Sequence, residues 1–580
     1  MYQRSPKLCA RSLPSRRRGV NFGAVLLRRR ALWPAALLVP MCALLYLPGL
    51  FALPPIDRDE ARYAQAARQM VASGDFIVPR VQDRTRLIKP IGVYWLQAAV
   101  LAMATNSPSA IGLHRMPSVF GALVAVLGTY WIGARWFAAG TAWLGAALLA
   151  ASALLVVEAH LATTDAVLLA CVVAAQGCLA ALYSAARHGR PGSAGTAAGF
   201  WLAQAAGVLV KGPAAPLVSG LTIAVLLVAD RGVVRRLLLA LRPWWGVPLA
   251  AACIAPWVIA VGTRAGWPAL PAAMASDLLP KLAGGHESHG GPPGLYLLMV
   301  PATFWPGSLA LVFALVMGWR RRRRPAERFL LAWLVPTWLV FECLPTKLPN
   351  YVLPAFPALA LLAARAALTT PAKLRPPLRH AAIRILLIGW LLLTLAAGFA
   401  PAAAVYAWGP THLTLAAALP ALAAVAIASI CLHRCWRGDL ASAAWTAALA
   451  AVLVYAPVLH AVLPGFDTLW PSRAAAGAIA HVASDRPLAA VGYAEPSLVF
   501  LTRSDIALLS ADDAAAFLTE HEHGLVLVSG DQLAVFTAAT QRRGIGLRNL
   551  WSEPAFNYST GTGIDLQLFT APEGPFGVRR

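Results

Sequence analysis

The sequence predicts an α-helical polytopic membrane protein of about thirteen transmembrane helices that ends in an α/β domain. Of its 580 residues, 59% are hydrophobic and only 13% are charged, and the mean hydropathy is +0.63. A soluble globular chain carries about 25% charged residues. Long apolar runs alternate with short basic clusters as far as residue 463, where the composition changes to that of a soluble domain.

The net charge of +24 does not indicate a nucleic-acid-binding protein. The basic residues lie in short clusters between apolar runs, where such clusters orient membrane helices. The eight cysteines show neither the spacing of a zinc site nor an even set within an extramembrane segment. We therefore expect membrane lipids around this chain and no nucleic-acid partner.

The first element is a basic N-terminus, residues 1–31, which we expect to be cytoplasmic. Arg16–Arg18 and Arg28–Arg30 precede the first apolar run, residues 32–53. This run is longer than the core of a typical signal peptide, and no clear small-residue cleavage site follows it. It predicts an uncleaved span that leads to the outer face.

The later spans alternate so that the densest Lys/Arg clusters fall on the side of the N-terminus, as the positive-inside rule requires. The opposite side receives the segments of mixed charge, which are residues 57–89, 158–165, 211, 277–289 and 347. A transmembrane domain of residues 32–463 follows, with an outer interfacial loop at 54–112. Tyr94–Ala104 is too short to cross and predicts an interfacial helix, while Thr263–Gly291 predicts a long outer loop.

The outer loop begins with the charged run DRDEARY, residues 57–63. In a helix that starts near Asp59, Asp59 shares a face with Arg62, and Glu60 shares one with Tyr63. Acidic residues in a first helical turn commonly serve as caps. Beside a membrane, a carboxylate here could instead accept a proton from a hydroxyl or bind a divalent cation.

Three lysines recur beside prolines on the predicted outer side. Lys89 precedes Pro90, Lys211 precedes Gly212-Pro213, and Lys347 lies two residues before Pro349. Each could simply extend along the membrane surface to reach water. Because the positive-inside rule does not explain them there, we interpret them as candidate partners of a lipid phosphate.

Two further groups carry polar side chains on the outer side. His160 and Asp165 flank two threonines and are either a buried hydrogen-bonded pair or part of a site. His286, Glu287 and His289 leave a divalent metal ion open as a cofactor, and no other cofactor is expected.

Residues 464–580 predict an α/β domain, which the odd number of spans would place on the outer side. Strands are expected near Ala489–Tyr493 and Gly524–Val528, with helices at Asp512–His521 and Asp531–Thr540. The segment 550–570 predicts a β-hairpin with glycines near its turn. The domain contains no nucleophile elbow or phosphate-binding loop, so we expect a supporting role.

Five motifs in this order resemble those of the GT-C glycosyltransferases of the protein O-mannosyltransferase superfamily. They are DEARY at 59–63, Lys89-Pro90 through Trp95, Thr164-Asp165, Lys211–Pro213 and Lys347–Tyr351. Among bacterial members, the chain is similar to the lipid A 4-amino-4-deoxy-L-arabinose transferases. The resemblance covers residues 32–365, and the later spans and the α/β domain follow the same layout.

The resemblance implies an inverting GT-C enzyme of the bacterial inner membrane. It would move a sugar from a polyprenyl-phosphate donor, undecaprenyl-linked, to lipid A or another envelope glycan or protein on the periplasmic face. The implied site residues are Asp59 and Glu60 for catalysis, Arg62, Tyr63, Lys89 and Lys211 for the donor phosphate, and Asp57, His160, Asp165, Lys347 and Tyr351 for support of the cavity. Tyr351 would lie in a loop that closes over the donor lipid.

The chain departs from the family pattern ahead of the first lysine. It has Arg86-Leu87-Ile88 where an aromatic-acidic approach is expected, and Lys89-Pro90-Ile91 where Lys-Pro-Pro is common. These differences leave the identity of the donor sugar and the presence of a metal ion open.

Other functions that the sequence allows are those of a protein O-mannosyltransferase-like enzyme, a lipid transporter or flippase, and a non-catalytic scaffold. A transporter would be expected to place charge within its spans and to show internal repeats.

Overall fold

A computed structural model describes residues 35–104, 109–283, 290–369, 381–482 and 485–572. Most of the chain is helical, and a mixed sheet lies in the C-terminal part. The predicted fold class, a polytopic helical membrane protein with a C-terminal α/β domain, is confirmed.

The membrane part is built from helices that are named in chain order. They are α1 Leu38–Tyr46, α2 Asp59–Ser73, α3 Gly92–Met103, α4 Ile111–Trp136, α5 Ala139–Ala150, α6 Ala153–Ala159, α7 Asp165–Arg187, α8 Ala194–Lys211, α9 Ala214–Ala229, α10 Val234–Leu241, α11 Pro243–Ala265, α12 Ala269–Ala283, α13 Leu295–Thr303, α14 Leu311–Arg320, α15 Pro325–Cys343, α16 Phe356–Thr369, α17 Ala381–Trp408, α18 Thr414–Trp436, α19 Leu440–Ala450 and α20 Val452–Pro457. A 3₁₀ segment, Pro349–Ala355, leads directly into α16.

Within the described residues, seven helical segments are long and apolar enough to cross a membrane. They are Ile111–Trp136, Asp165–Arg187, Pro243–Ala265, Pro349–Thr369, Ile383–Trp408, Thr411–Trp436 and Leu440–Val462. Three further pairs of helices pass the same test but are bent by 60°, 108° and 116°, which gives up to ten spans. The expected count of about thirteen is therefore not confirmed.

The bent pairs explain part of the difference between expectation and structure. An apolar run of about 20 residues predicts one straight span, but α5 and α6 meet at a 60° bend. The pairs α9 with Arg231–Leu241 and α13 with Gly307–Arg320 bend more sharply. Hydropathy counts apolar residues and does not register such breaks.

The segments that we expect on the outer side also differ from expectation in one place. A helix of 12 residues, α3, is present where we predicted an interfacial helix. The segment Thr263–Gly291, expected to be a loop, contains the 15-residue helix α12. Between α2 and α3, a short hairpin pairs β1, Arg80–Val81, with β2, Arg84–Thr85. Together these elements lie around the charged loop.

Small residues allow the helices near that loop to approach closely. A Cβ on Gly121 of α4 would lie 2.8 Å from the Ala166 carbonyl oxygen of α7, and a Cβ on Gly92 of α3 would lie 2.7 Å from the Leu209 carbonyl oxygen of α8. Close backbone approach at glycine and alanine is typical of membrane helices. The contacts place the start of α3 beside the end of α8, and the start of α7 against the middle of α4.

The C-terminal domain is a five-stranded mixed sheet in the order β4-β3-β5-β7-β6. The strands are β3 Leu488–Val491, β4 Ala507–Leu508, β5 Leu525–Ser529, β6 Arg548–Asn557 and β7 Thr562–Thr570, and the helices are α21 Pro471–Val482, α22 Pro496–Leu501, α23 Ala511–Glu520 and α24 Gly530–Arg542. Strand β3 pairs in parallel with β4 and β5, while β7 pairs antiparallel with β5 and β6.

This sheet is buried on both faces, because alternate residues of its central strands enter two separate cores. Leu525 and Leu527 pack in one core, and Val526 and Val528 pack in the other. Continuous apolar strands are typical of a sheet that is covered by helices on both sides. The predicted strands, helices and hairpin of residues 489–570 are confirmed, and Gly561 has the positive φ of +75° that its turn requires.

Candidate functional site

The charged loop turns into α2 through a strained residue. Arg58 has φ +68° and ψ −112°, a conformation that is uncommon for any residue other than glycine. Its guanidinium donates a hydrogen bond of 2.7 Å to the Ser559 carbonyl oxygen. The turn directs the two acidic side chains that follow into different surroundings, so that Asp59 and Glu60 are not equivalent.

Glu60 is enclosed by a bidentate ion pair. Both carboxylate oxygens accept hydrogen bonds from Arg115, at 2.8 and 2.9 Å, and both residues are buried. The backbone N–H groups of Ala162 and Ile56 donate to the same carboxylate at 2.8 Å each. Because both oxygens are occupied and only 2% of Glu60 is exposed, we assign it to the support of the loop and not to catalysis.

Asp59, by contrast, is open to solvent. Its side chain is 61% exposed and forms a 2.8 Å ion pair with Arg86. The Arg86 side chain is only 11% exposed, and its guanidinium carbon lies 5.2 Å from the centre of the Tyr63 ring. The Arg86 cation therefore lies between an exposed carboxylate and an aromatic ring.

The remaining two residues of the DEARY run lie beside this pair. Tyr63 is buried and packs against Tyr94, with 5.4 Å between ring centres. Burial raises the pKa of Tyr63 well above its usual value, so the phenol remains a hydrogen-bond donor at neutral pH. Arg62 is half-buried. Its backbone N–H donates to the Arg58 carbonyl oxygen at 3.2 Å, and its guanidinium makes no hydrogen bond or ion pair with any described residue.

All three candidate lysines lie within ion-pair distance of a carboxylate, and for Lys347 the partner is Glu342 at 3.8 Å. Lys89 lies 2.5 Å from Asp277 of α12, and Lys211 lies 2.6 Å from Asp165 at the start of α7. The Lys211 Nζ also lies 5.7 Å from the centre of the Tyr351 ring. We use the name ion-pair cluster for Asp59–Arg86, Lys89–Asp277 and Lys211–Asp165 together with Arg62 and Tyr63.

The three ion pairs of the cluster lie in one region of the molecule. The Tyr63 phenol lies within electrostatic reach of Asp59, Arg86 and Asp165. Gly92, three residues after Lys89, lies against the Leu209 backbone at the end of α8. The structure therefore brings together Asp59, Arg62, Tyr63, Lys89, Asp165, Lys211 and Tyr351 of the predicted site.

Lys347 has different surroundings from a phosphate ligand. Its Nζ donates to the backbone carbonyl oxygens of Phe341, at 3.2 Å, and Glu342, and lies 5.1 Å from the centre of the Tyr296 ring. The residue is 6% exposed. Lys347 thus binds the C-terminal carbonyl groups of α15, where a cation complements the helix dipole. Lys347 differs from Lys89 and Lys211 in that two backbone carbonyl oxygens surround its ammonium group in addition to the Glu342 carboxylate.

His160 is also a supporting residue. Its Nδ1 lies 2.7 Å from the Val156 carbonyl oxygen, and its Nε2 lies 2.9 Å from that of Pro48. Burial lowers the pKa of His160, which favours the neutral ring. The side chain links the end of α6 to the loop that follows α1.

Asp57 belongs to the contact with the C-terminal domain. Its carboxylate accepts hydrogen bonds from the Ser497 N–H, at 3.0 Å, and the Tyr558 hydroxyl, at 3.2 Å. Burial raises the pKa of Asp57 to about 6, and the nearby Glu495 carboxylate adds to the effect. Asp57 therefore connects the charged loop to the α/β domain.

Sequence reasoning did not assign roles to Arg86, Arg115 or Arg68. Arg115 is an isolated arginine within an apolar run, and an ionisable residue in such a run indicates a buried partner. Arg86 carried a signal as well, since it departs from the family pattern. Arg68 carried none, because its partners Val499 and Phe500 lie more than 400 residues away in the sequence.

The metal candidates His286, Glu287 and His289 lie outside the described residues. In the parts of the chain that the structure describes, no group of three or more His, Cys, Asp or Glu side chains is placed to hold a metal ion. An apolar cavity of about 430 Å³ lies among α13, α14 and α17 and is lined by none of the cluster residues.

Comparisons with known proteins agree with the resemblance noted in the motifs. Residues 32–265 match the family model described as dolichyl-phosphate-mannose-protein mannosyltransferase. Two curated relatives are undecaprenyl phosphate-alpha-4-amino-4-deoxy-L-arabinose arabinosyl transferases. The protein of Pectobacterium carotovorum is 28% identical over 340 residues, which are 57% of this chain and 58% of the relative. That of Aeromonas hydrophila is 30% identical over 327 residues, which are 54% and 57%.

The fold is shared with a solved structure over almost its whole length. ArnT from Cupriavidus metallidurans in the apo state superposes with a TM-score of 0.71 at 20% identity, covering 94% of this chain and 98% of ArnT. The same protein bound to undecaprenyl phosphate gives a TM-score of 0.69 at 19% identity, covering 95% and 98%. In sequence, the chain spans a little over half the length of the curated relatives.

Proposed function

We propose that this chain is an integral membrane glycosyltransferase that moves a sugar from a polyprenyl-phosphate donor to lipid A or another envelope acceptor. The observation that carries the proposal is the ion-pair cluster, in which the exposed carboxylate of Asp59 pairs with Arg86, while Lys89 and Lys211 pair with Asp277 and Asp165. The relatives' names and the undecaprenyl phosphate in the related ArnT structure support the donor class.

In this proposal Asp59 is the general base. It takes the proton of an acceptor hydroxyl, the oxygen attacks the anomeric carbon, and the bond between that carbon and the phosphate oxygen breaks. Attack from the face opposite the phosphate would invert the anomeric configuration. The exposed side chain of Asp59 supports this role, whereas Glu60 has no open carboxylate oxygen.

The phosphate leaves as a polyprenyl-phosphate monoester, whose growing negative charge needs nearby cations. Arg62 is best placed to bind it, since no described residue pairs with its guanidinium. Lys89 and Lys211 would contribute from their ion pairs with Asp277 and Asp165. The Tyr63 phenol is a suitable hydrogen-bond donor. Tyr351, beside Lys211, would close over the donor lipid.

The proposed location is the bacterial inner membrane, with the ion-pair cluster and the C-terminal domain on the periplasmic side. The support is the distribution of charge: the run Arg320–Arg324 lies at the end of α14, as expected for a cytoplasmic turn. We also propose the division into residues 1–31, 32–463 and 464–580.

The proposal is tested by transfer assays on the purified protein with undecaprenyl-phosphate sugars and lipid A. Asp59→Asn should lower transfer by at least about 100-fold, because a general base contributes about 10²–10⁴-fold. The control is Asp83→Asn, which changes an exposed carboxylate of the β1–β2 turn and should leave transfer unchanged. If Asp59→Asn retained full transfer activity, Asp59 would not be the general base.

A protein hydroxyl is a second candidate acceptor, because the matching family model describes protein mannosyltransferases. Mass spectrometry of envelope lipids and of envelope proteins, with and without the gene, separates the two. A mass loss confined to lipids identifies a lipid acceptor, and a loss confined to glycopeptides identifies a protein acceptor.

A further inference from the structure

The turn between β6 and β7 of the C-terminal domain contacts the charged loop of the membrane part. We call residues 558–561 the β6–β7 turn. The hydroxyl oxygen of Tyr558 accepts a hydrogen bond from the Asp57 N–H at 2.8 Å, and the hydroxyl donates to the Asp57 carboxylate at 3.2 Å. The Ser559 carbonyl oxygen accepts from the Arg58 guanidinium at 2.7 Å. The β6–β7 turn therefore binds the two residues that directly precede the proposed base.

The backbone between this contact and α2 is strained. Arg58 has φ +68° and ψ −112°, and a residue other than glycine keeps such a conformation only when its surroundings hold it there. Asp57 is bound by the β6–β7 turn on one side, and Glu60 is bound by its buried ion pair on the other. Asp59 lies between these two anchors. Because its exposed side chain has one partner among the described residues, the backbone decides where the carboxylate points.

The β6–β7 turn is itself held firmly within the C-terminal domain. The Tyr558 ring packs edge-on against Trp470, with 5.9 Å between ring centres. The Asn557 side chain donates to the Glu495 carboxylate at 3.0 Å and accepts from the Ser559 N–H at 2.9 Å. Burial raises the pKa of Tyr558 well above its usual value, so the hydroxyl keeps the proton that it donates. The hydroxyl is therefore a fixed support for the loop.

We propose that Tyr558 is a positioning residue for sugar transfer, and that it acts by holding the loop that carries Asp59. The inference rests on the proposed function, in which Asp59 is the general base. A displacement of about 1 Å in a reacting group can lower a rate by about 100-fold, so the loss of two hydrogen bonds from the loop is enough to affect transfer. The C-terminal domain, for which the sequence predicts only a supporting role, then takes part in transfer.

Binding of the donor does not depend on this contact. Lys89 and Lys211, the proposed phosphate ligands, are held by ion pairs with Asp277 and Asp165 of the membrane part. Loss of the Tyr558 hydroxyl should therefore lower the rate of transfer and leave the affinity for the donor lipid unchanged. A residue that only stabilised the fold would affect both quantities.

The test is Tyr558→Phe in the purified full-length protein, because phenylalanine keeps the ring against Trp470 and removes only the hydroxyl. With lipid A and the undecaprenyl-phosphate sugar that the wild type transfers, kcat should fall at least about tenfold, while the Kd for undecaprenyl phosphate should stay within about threefold of the wild type. Thr560→Val is the matched control. It removes a hydroxyl of the same turn that bonds to Asn557 and Thr562, and it should keep the wild-type kcat. A wild-type kcat in Tyr558→Phe would overturn the inference, as would equal losses of kcat and of affinity.

A second measurement tests whether Tyr558 acts through Asp59. In an Asp59→Asn background no base is left to position, so adding Tyr558→Phe should change the residual transfer by less than about twofold. A tenfold loss in that background would indicate a general effect on the fold and would overturn the inference. If Tyr558→Phe does not fold, Arg58→Met removes the bond to Ser559 from the other side of the contact and should show the same dependence on Asp59. Full transfer by Asp59→Asn, or no transfer by the wild type, would instead refute the proposed function, and the inference with it.

Discussion

At the scale of single residues, two adjacent carboxylates have opposite roles. Asp59 is 61% exposed and has one partner, whereas Glu60 is buried with Arg115 and two backbone N–H groups. Removing one partner of a buried ion pair leaves an uncompensated charge, which is strongly destabilising. The two residues are therefore distinguished by what their loss does to the protein.

The first prediction concerns Glu60→Gln. Because it leaves Arg115 without a counter-charge in a buried site, we expect a loss of about 3–5 kcal/mol in the free energy of unfolding. Thermal unfolding of the solubilised protein would register it as a lower midpoint. Asp59→Asn, at an exposed position, is the control and should unfold close to the wild type. Unchanged stability of Glu60→Gln would contradict the structural role.

A second prediction concerns Asp57, whose pKa is raised by burial from 3.8 to about 6. The folded protein binds this proton more tightly than the unfolded chain does. The contribution of the Asp57 carboxyl group to the free energy of unfolding is therefore complete below about pH 4 and is lost as the pH rises to about 6. The change is at most roughly 3 kcal/mol.

Asp57→Asn should remove this part of the pH dependence, because the amide does not ionise. Its oxygen can still accept from the Ser497 N–H, and its nitrogen can donate to the Tyr558 hydroxyl. Unfolding midpoints between pH 4 and 7 provide the measurement. The exposed Asp485→Asn should retain the wild-type slope. If the unfolding midpoint of Asp57→Asn changes with pH as steeply as that of the wild type, the pH dependence of stability arises from another group.

At the scale of elements, α2 is held on one side by the membrane part and on the other by the C-terminal domain. Arg68 of α2 donates to the Phe500 carbonyl oxygen at 2.8 Å, and its guanidinium lies 5.3 Å from the Phe500 ring. Gln65 donates to the Ser504 hydroxyl at 2.7 Å. The domain without recognisable motifs thus positions the helix that begins at Asp59.

The third prediction follows from that contact. Arg68→Met removes the hydrogen bonds to the carbonyl groups of α22, which we expect to cost roughly 1–3 kcal/mol. Hydrogen exchange should then increase in both α2 and α22, because each loses the other's support. Arg80→Met, at an exposed position on β1, should leave both helices protected. If hydrogen exchange increased in only one of the two helices, α2 and α22 would not stabilise each other.

At the scale of the whole molecule, we expect the orientation in the membrane to follow from the distribution of charge. The fourth prediction uses single cysteines in a background whose native cysteines are replaced by serine. A cysteine at Arg84, in the β1–β2 hairpin, should react with a membrane-impermeant maleimide added from the periplasmic side. A cysteine that replaces Arg322, beyond the end of α14, should react only after the membrane is permeabilised. The reverse pattern would overturn the proposed orientation.

The sequence by itself determined the class of protein and the type of most elements. Apolar runs, hydrophobic periodicity and helix-start residues are local properties. They predicted the helices α2 and α3 and the strands and hairpin of residues 489–570. The motifs also identified the segments that form the ion-pair cluster. Bends within apolar runs were not predicted, since composition does not register them.

Only the tertiary structure decided which charged residues meet. Asp59 and Arg86 are 27 residues apart, Glu60 and Arg115 are 55 apart, and Lys89 and Asp277 are 188 apart. Pairing over such distances depends on how helices pack, and no local pattern encodes it. For the same reason, the sequence does not distinguish the carboxylates of Glu60 and Asp59. Packing gives Glu60 a buried ion-pair partner and leaves Asp59 exposed to solvent.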